Sequence, residues 1–402
     1  MTHRAVHTQS MQDTQRPAAA CVSKHFPPDA IIVFSQGLAD CLCLAESLLI
    51  GHFFLWYHRC AFLRALPNRA SICSSYRQQV SGEIMTEVTQ FPPQSILVLG
   101  AGELGLPVLR NLARVAKRAP GSTISVLLRD STINTEVREK KVEIDELRGL
   151  GIQMVAADLV NDSIDQLAEV FARFDTVIGC AGMVAGRETP MKLASAALKS
   201  GVKRYFPWQF GVDFEVIGRG SPQDLFDAQL DVRELLRAQD KTEWVIISTG
   251  MFTSFLFEPV FEVVDFENDT VNALGSLDTS VTLTTPDDIG ALTAEIVFFE
   301  PRFRNQIVYL SGDTVTYGEI ASLLERVLGR PFKRNVWTVP YLLQELEKDP
   351  THHIKKYRAV FAQGRGVAWP KAGTFNAQQS IQVTTAEKWA RANLTTSSAQ
   401  VQ

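Results

Sequence analysis

The feature that most constrains this chain is Gly100-Ala101-Gly102-Glu103-Leu104-Gly105, which fits G-x-G-x-x-G and lies between a predicted strand and a predicted helix. Ser95–Leu99 is a short apolar run bounded by Pro93 and Gly100, suited to a buried parallel strand. Leu106, Leu109, Leu112, Ala113 and Ala116 then recur at helical spacing across residues 104–116. Strand, glycine turn and helix in that order form the context in which the motif binds a dinucleotide. Gly100 permits the tight turn, Gly102 lets the backbone approach a pyrophosphate, and Gly105 lets helix and strand pack closely. The helix start offers free N–H groups and a positive dipole end to the phosphates. Residues 100–105 are therefore the expected cofactor cradle, with the Glu103 side chain turned away from the phosphates.

The pattern continues as strand alternating with helix. Strands are expected at 124–128, 153–157, 176–178, Arg204–Phe206 and 244–248, and helices at 136–150, 164–173, 190–200 and 225–239. Helices of this length between short strands imply right-handed crossovers and a parallel sheet covered on both faces. Beyond Gly250 the alternation loosens: 251–283 is rich in aromatic residues, helices recur at 287–299 and Tyr317–Leu328, and 331–375 reads as irregular. The expected architecture is α/β, a Rossmann-like parallel sheet with a smaller, partly interleaved C-terminal substrate lobe and a cleft between them. Residues 85–250 are read as the NAD(P)-binding domain, 251–394 mainly as the substrate lobe, and 395–402 as a tail.

Residues 1–84 differ from the rest and are read as a poorly ordered extension, with 85–402 as the functional unit opened by Met85. Their apolar run at 41–57 is just short of a membrane span and carries Glu46 near its middle, so no firm membrane association is expected. Of six cysteines only Cys180 follows residue 73, and of seven histidines only His352 and His353 do. No zinc site or disulfide framework is therefore expected in the main body, which reads as metal-free and cytoplasmic. A net charge of -4 supplies no field for nucleic acid, so the expected partner is a small molecule.

The end of the second strand usually meets the adenosine ribose, and there the sequence has Leu128-Arg129-Asp130. Arg129 suits a 2′-phosphate through its planar fork, whereas Asp130 suits a 2′-hydroxyl; NADP(H) is favoured over NAD(H). Lys140 or Lys141 is a further candidate for the phosphate.

Several segments resemble the isoflavone reductase-like, NmrA-like branch of the atypical short-chain dehydrogenases. They are the stretches 127–132, 157–159 and 285–290, and above all Gly201-Val202-Lys203-Arg204-Tyr205-Phe206-Pro207-Trp208-Gln209-Phe210-Gly211. The resemblance covers about residues 94–394 and implies an NADPH-type Rossmann domain, a small C-terminal lobe and reduction of aromatic small molecules. It implies Arg129 on the 2′-phosphate, Asp158 and Leu159 near the adenine, and Cys180, Ala181, Gly182, Phe206 and Pro207 at the nicotinamide end. Two departures stand out. The glycine loop is one residue shorter than the family's usual G-x-x-G-x-x-G, and Gln229 occupies the position of the family's catalytic Lys. Gln donates hydrogen bonds but is no general acid near neutral pH.

No other proton donor stands out. None of the seven tyrosines has Lys four residues later, so the Tyr-x-x-x-Lys pair is absent. Lys203, Tyr205, Asp213, Glu215, Cys180 and the His352-His353 pair each read more simply as surface, core or loop residues. Three functions follow: an NAD(P)H-dependent oxidoreductase with Gln229 orienting the substrate, which leads; a dinucleotide-sensing regulator without turnover; or a dehydratase or isomerase that uses the bound cofactor only structurally. The aromatic residues Phe252, Phe255, Phe257, Phe261 and Phe266 suit either an apolar pocket or plain core.

Overall fold

The structure is a computed structural model that describes residues 92–182, 186 and 188–395. The N-terminal extension, its apolar run and the tail beyond residue 395 lie outside the described residues.

Strands are numbered along the chain. β1 (Ser95–Leu99), β2 (Thr123–Leu128), β3 (Gln153–Ala156), β4 (Thr176–Gly179), β5 (Arg204–Phe206), β6 (Glu243–Ser248) and the late strand β11 (Gln306–Tyr309) form one seven-stranded sheet. Its order is β11-β6-β5-β4-β1-β2-β3, and every pairing is parallel. This is a Rossmann-like sheet, as the alternation of strand and helix implies. The late return of β11 to the sheet edge is not legible beforehand, because Gln306-Ile307-Val308-Tyr309 is short and opens polar.

Successive residues of β1 feed opposite faces. Ile96 and Val98 enter the core under helix α1 (Gly105–Val115), while Leu97 and Leu99 enter the core under α3 (Ile164–Phe171), α4 (Thr189–Ser200) and α5 (Leu225–Arg237). Helix α2 (Arg138–Gly149) buries only Ile144 and Leu147. Helix α6 (Pro286–Val297) starts at a Thr285 cap with Pro286 in its first turn and packs on α1. Gly290 makes that approach possible, since a Cβ there would stand 2.5 Å from the Pro107 carbonyl carbon.

Two three-stranded sheets cover the rest: β12 (Asp313–Thr316), β10 (Ser280–Thr284) and β7 (Met251–Phe252), then β13 (Lys333–Trp337), β9 (Thr270–Leu274) and β8 (Val264–Asp265). They share an apolar core with α7 (Tyr317–Leu328), including Leu256, Phe261, Leu283, Tyr317 and Leu324. The irregular reading of 331–375 is corrected here: it contains β13, α8 (Val339–Lys348) and α9 (His353–Phe361). Pro340 is not a breaker but a first-turn residue of a helix capped by Thr338. β13 escapes notice because its Lys333-Arg334-Asn335 half is exposed and polar.

Candidate functional site

The site lies at the C-terminal ends of β1 and β4, where the strand order reverses direction and open α/β sheets bind their ligands. Gly100 has φ +96°, and its N–H donates to the Leu127 carbonyl at 3.2 Å. A Cβ on Gly105 would stand 2.2 Å from the Gly100 oxygen, so the helix and loop meet with no room for a side chain. A Cβ on Gly102 would meet nothing within 4 Å. Ala101 and Leu104 are buried beneath the loop. No side chain caps the start of α1 and no acidic residue lies in its first turn. The Leu106 and Val108 N–H groups already donate to the Gly102 and Leu104 carbonyls and Pro107 has none, so an anion here would meet the N–H groups of the glycine loop and of Gly105. Glu103 is exposed, with its carboxylate 3.5 Å from the Ser254 hydroxyl rather than folded back on the loop.

At the expected ribose end, the Arg129 guanidinium is exposed and makes no hydrogen bond or ion pair with the described residues. The Asp130 carboxylate instead accepts from the Asn134 side chain at 3.1 Å. The Lys140 ammonium donates to the Ala101 carbonyl at 2.9 Å and pairs with Glu143, which ties α2 to the glycine loop. Asp158 is committed to its own turn: the Asn161 amide and the Val160 N–H hold its carboxyl below the usual range. Leu159 is half-buried beside it.

Cys180 and Ala181 back the loop, with the Ala181 Cα 3.4 Å from where a Gly100 side chain would begin. Burial pushes the Cys180 thiol far up, so it is an inert core group. Gly182, at φ +63°, lies beside the Trp208 ring. Phe206 is 1% exposed, with its ring in the core and the Arg204 guanidinium 4.9 Å away; Pro207 is buried next to it. The aromatic ring that this segment gives to the crevice is Trp208, which reading the sequence does not single out.

From Glu103 and Trp208 a cavity of about 310 Å³ runs inward to Tyr357 and Phe361 of α9. Phe214, Phe226, Met251, Phe252 and Phe255 supply most of its apolar wall. Phe257 and Phe261 are buried core instead, and Phe266 packs against that core. The aromatic segment thus divides between pocket and core.

Gln229 lines this cavity at 3% exposure, and its buried Oε1 has no hydrogen-bond partner among the described residues. Its main-chain oxygen accepts from the Gln209 amide at 2.8 Å, and Gln209 accepts in turn from the Arg233 Nε at 2.8 Å. Arg233 is 1% exposed and faces Asp213 at 3.6 Å and Glu215 at 3.7 Å. Asp213 also accepts from the Tyr309 hydroxyl at 2.6 Å. Burial, and then Asp213, push the Tyr309 phenol far up. Such a buried, hydrogen-bonded chain holds Gln229 in place from behind.

The other candidate donors lie elsewhere. Lys203 is exposed and paired with Asp175, Tyr205 is core, and Glu215 pairs with Arg237. His352 caps α9, accepting weakly from the Lys355 N–H at 3.4 Å, and does not line the cavity. Tyr357 does line it, between Phe226 and Phe255, and was not singled out because nothing in its sequence neighbourhood marks it.

The parallel sheet, its switch point and the glycine loop define a Rossmann-like protein. The chain belongs to the NmrA-like family, which it matches over residues 92–383. The resemblance read from the motifs is borne out. An NmrA-like family domain-containing oxidoreductase of Gibberella moniliformis is 47% identical over 291 residues, covering 72% of this chain and 95% of that protein. A phenylcoumaran benzylic ether reductase of Betula pendula is 23% identical over 260 residues, covering 63% and 81%. A crystal structure of isoflavone reductase superposes with a TM-score of 0.61 at 20% identity, over 75% of this chain and 99% of that one. The leucoanthocyanidin reductase–NADPH complex from Vitis vinifera gives 0.61 at 18% identity, over 73% and 97%.

Proposed function

We propose that this protein is an NADPH-preferring reductase of a small, largely aromatic molecule. The observation that carries the reading is the aromatic cavity of about 310 Å³ that opens beside the glycine loop at Glu103. The open space over Gly102 and the uncapped start of α1 fit a pyrophosphate, and Arg129, exposed and without a hydrogen bond or ion pair to the described residues, fits a 2′-phosphate better than the engaged Asp130 fits a hydroxyl. Lys140 is engaged by the Ala101 carbonyl and Glu143 and serves to brace the loop. When bound, the reduced nicotinamide supplies the hydride. The chain's own residues do the rest: Trp208 and the phenylalanines exclude water and fix the substrate plane, and Gln229 offers one oriented polar contact. The relatives' names support the same reading, an oxidoreductase in one case and ether reductases in others.

The test is NADPH consumption across a panel of quinones, enones, aromatic ketones and imines, with the product identified. Consumption matched by a reduced product supports the reading. A second reading, a dinucleotide-sensing regulator without turnover, is favoured by one observation: a glutamine stands where the family's lysine would be. Tight NADPH binding with no consumption across the panel selects it.

A further inference from the structure

We infer that the substrate class is a cyclic aromatic iminium, a planar cation reduced to an amine. The inference rests on the reductase reading above and adds the charge and reacting bond of the substrate. Among the described residues that line the cavity, the formal charges are Glu103 and Glu258, and no Lys or Arg faces it. The nearest buried cation, Arg233, sits behind the Gln209–Gln229 wall and is answered by Asp213 and Glu215. The walls are Trp208, Phe214, Phe226, Phe252, Phe255 and Tyr357, faces that attract a cation and repel an anion. Gln229, 3% exposed, adds a side-chain Oε1, the negative end of the amide dipole, with no hydrogen-bond partner among the described residues.

Proton balance points the same way. A hydride delivered to a ketone leaves an alkoxide that must take up a proton, which calls for a side-chain acid. The O–H groups of the lining are Ser254 and Tyr357, and burial pushes the Tyr357 phenol up, which makes it a poorer acid. An iminium needs none. The hydride forms a C–H bond at the iminium carbon while the C=N π pair becomes the nitrogen lone pair. The products are a neutral amine and oxidised nicotinamide dinucleotide, with no proton consumed. The positive charge passes from the substrate to the nicotinamide ring, and the two carboxylates of the exposed rim, Glu103 and Glu258, favour the cation on entry.

The experiment uses the full chain and three probes of one shape: an N-methyl dihydroisoquinolinium salt, the neutral tetralone and a naphthoate. Binding to the cofactor-free protein is followed by tryptophan fluorescence, since Trp208 lines the cavity. The iminium is expected to bind about tenfold more tightly than the ketone, with no detectable naphthoate binding. Glu103→Gln with Glu258→Gln is expected to remove most of that preference, narrowing the iminium-to-ketone affinity ratio toward one. With NADPH present, the iminium yields one amine per NADPH oxidised. Ketone or naphthoate binding as tightly as the iminium overturns the inference. Ketone turnover without iminium turnover overturns it and leaves the reductase reading standing. Turnover of neither probe, with NADPH bound, overturns the inference and turns the panel experiment into the test of the reductase reading itself.

Discussion

Two glycines of the loop, Gly105 with no room for a side chain and Gly102 with open space, give a paired prediction. In Gly105→Ala the new methyl would stand 2.2 Å from the Gly100 oxygen and 2.9 Å from its carbonyl carbon. Both are backbone atoms, so relief requires the loop or the helix to retreat by about 1 Å, an overpacking that costs ~1–3 kcal/mol. For a domain of this size each kcal/mol lowers Tm by about 2–4 °C. The retreat also moves the cradle, and a displacement of about 1 Å costs on the order of 100-fold where geometry governs the rate. Gly102→Ala meets nothing within 4 Å, so its Tm should equal the parent's while its methyl occupies the space proposed for the pyrophosphate. Thermal unfolding and NADPH titration on both variants separate the cases: Gly105→Ala loses stability and affinity, and Gly102→Ala loses affinity alone, by about tenfold or more. Parental NADPH affinity in Gly102→Ala would refute the placement of the phosphates, whatever its stability.

Arg129→Ala should raise the Kd for NADPH by about tenfold and that for NADH by less than about twofold, because the guanidinium makes no hydrogen bond or ion pair with the described residues; equal losses in calorimetric titrations would remove it from the 2′-phosphate. Gln229→Met removes a buried amide whose Oε1 has no hydrogen-bond partner among the described residues, so Tm should hold or rise while KM rises about tenfold; a fall in Tm without change in KM would make the residue structural. Burial opposes ionisation of Asp175, yet the Lys203 ammonium and the Ser95 N–H and hydroxyl hold its carboxyl at about 2. A folded value below the ordinary 3.8 means that Asp175 stabilises above that value and loses its contribution as pH falls toward 2. Urea unfolding of Asp175→Asn should therefore show a deficit at neutral pH that closes on acidification, and a gap independent of pH would contradict it.

Much of the fold was legible because local signals agreed with the tertiary outcome. β1, β5 and α7 fall where the apolar runs and helical spacing put them. The glycine loop was legible because each glycine has a separate steric reason, and the Gly105 contact is the clearest. What escaped depends on distant chain. Trp208 and Tyr357 share one cavity although 149 residues separate them, and no spacing rule links them. Gln209 gains its meaning from Arg233 and the Gln229 carbonyl, two partners on another element. Asp213 looked like a loop carboxylate because its partner Tyr309 arrives on β11, the strand that returns late to the sheet edge.

The most direct test of the central claim is a crystal structure of the full chain grown with NADP+. The account predicts the pyrophosphate over Gly102 at the start of α1, the 2′-phosphate on Arg129 and the nicotinamide beside Trp208 at the cavity mouth. A dinucleotide bound elsewhere, or one whose nicotinamide turns away from the aromatic cavity, would contradict it.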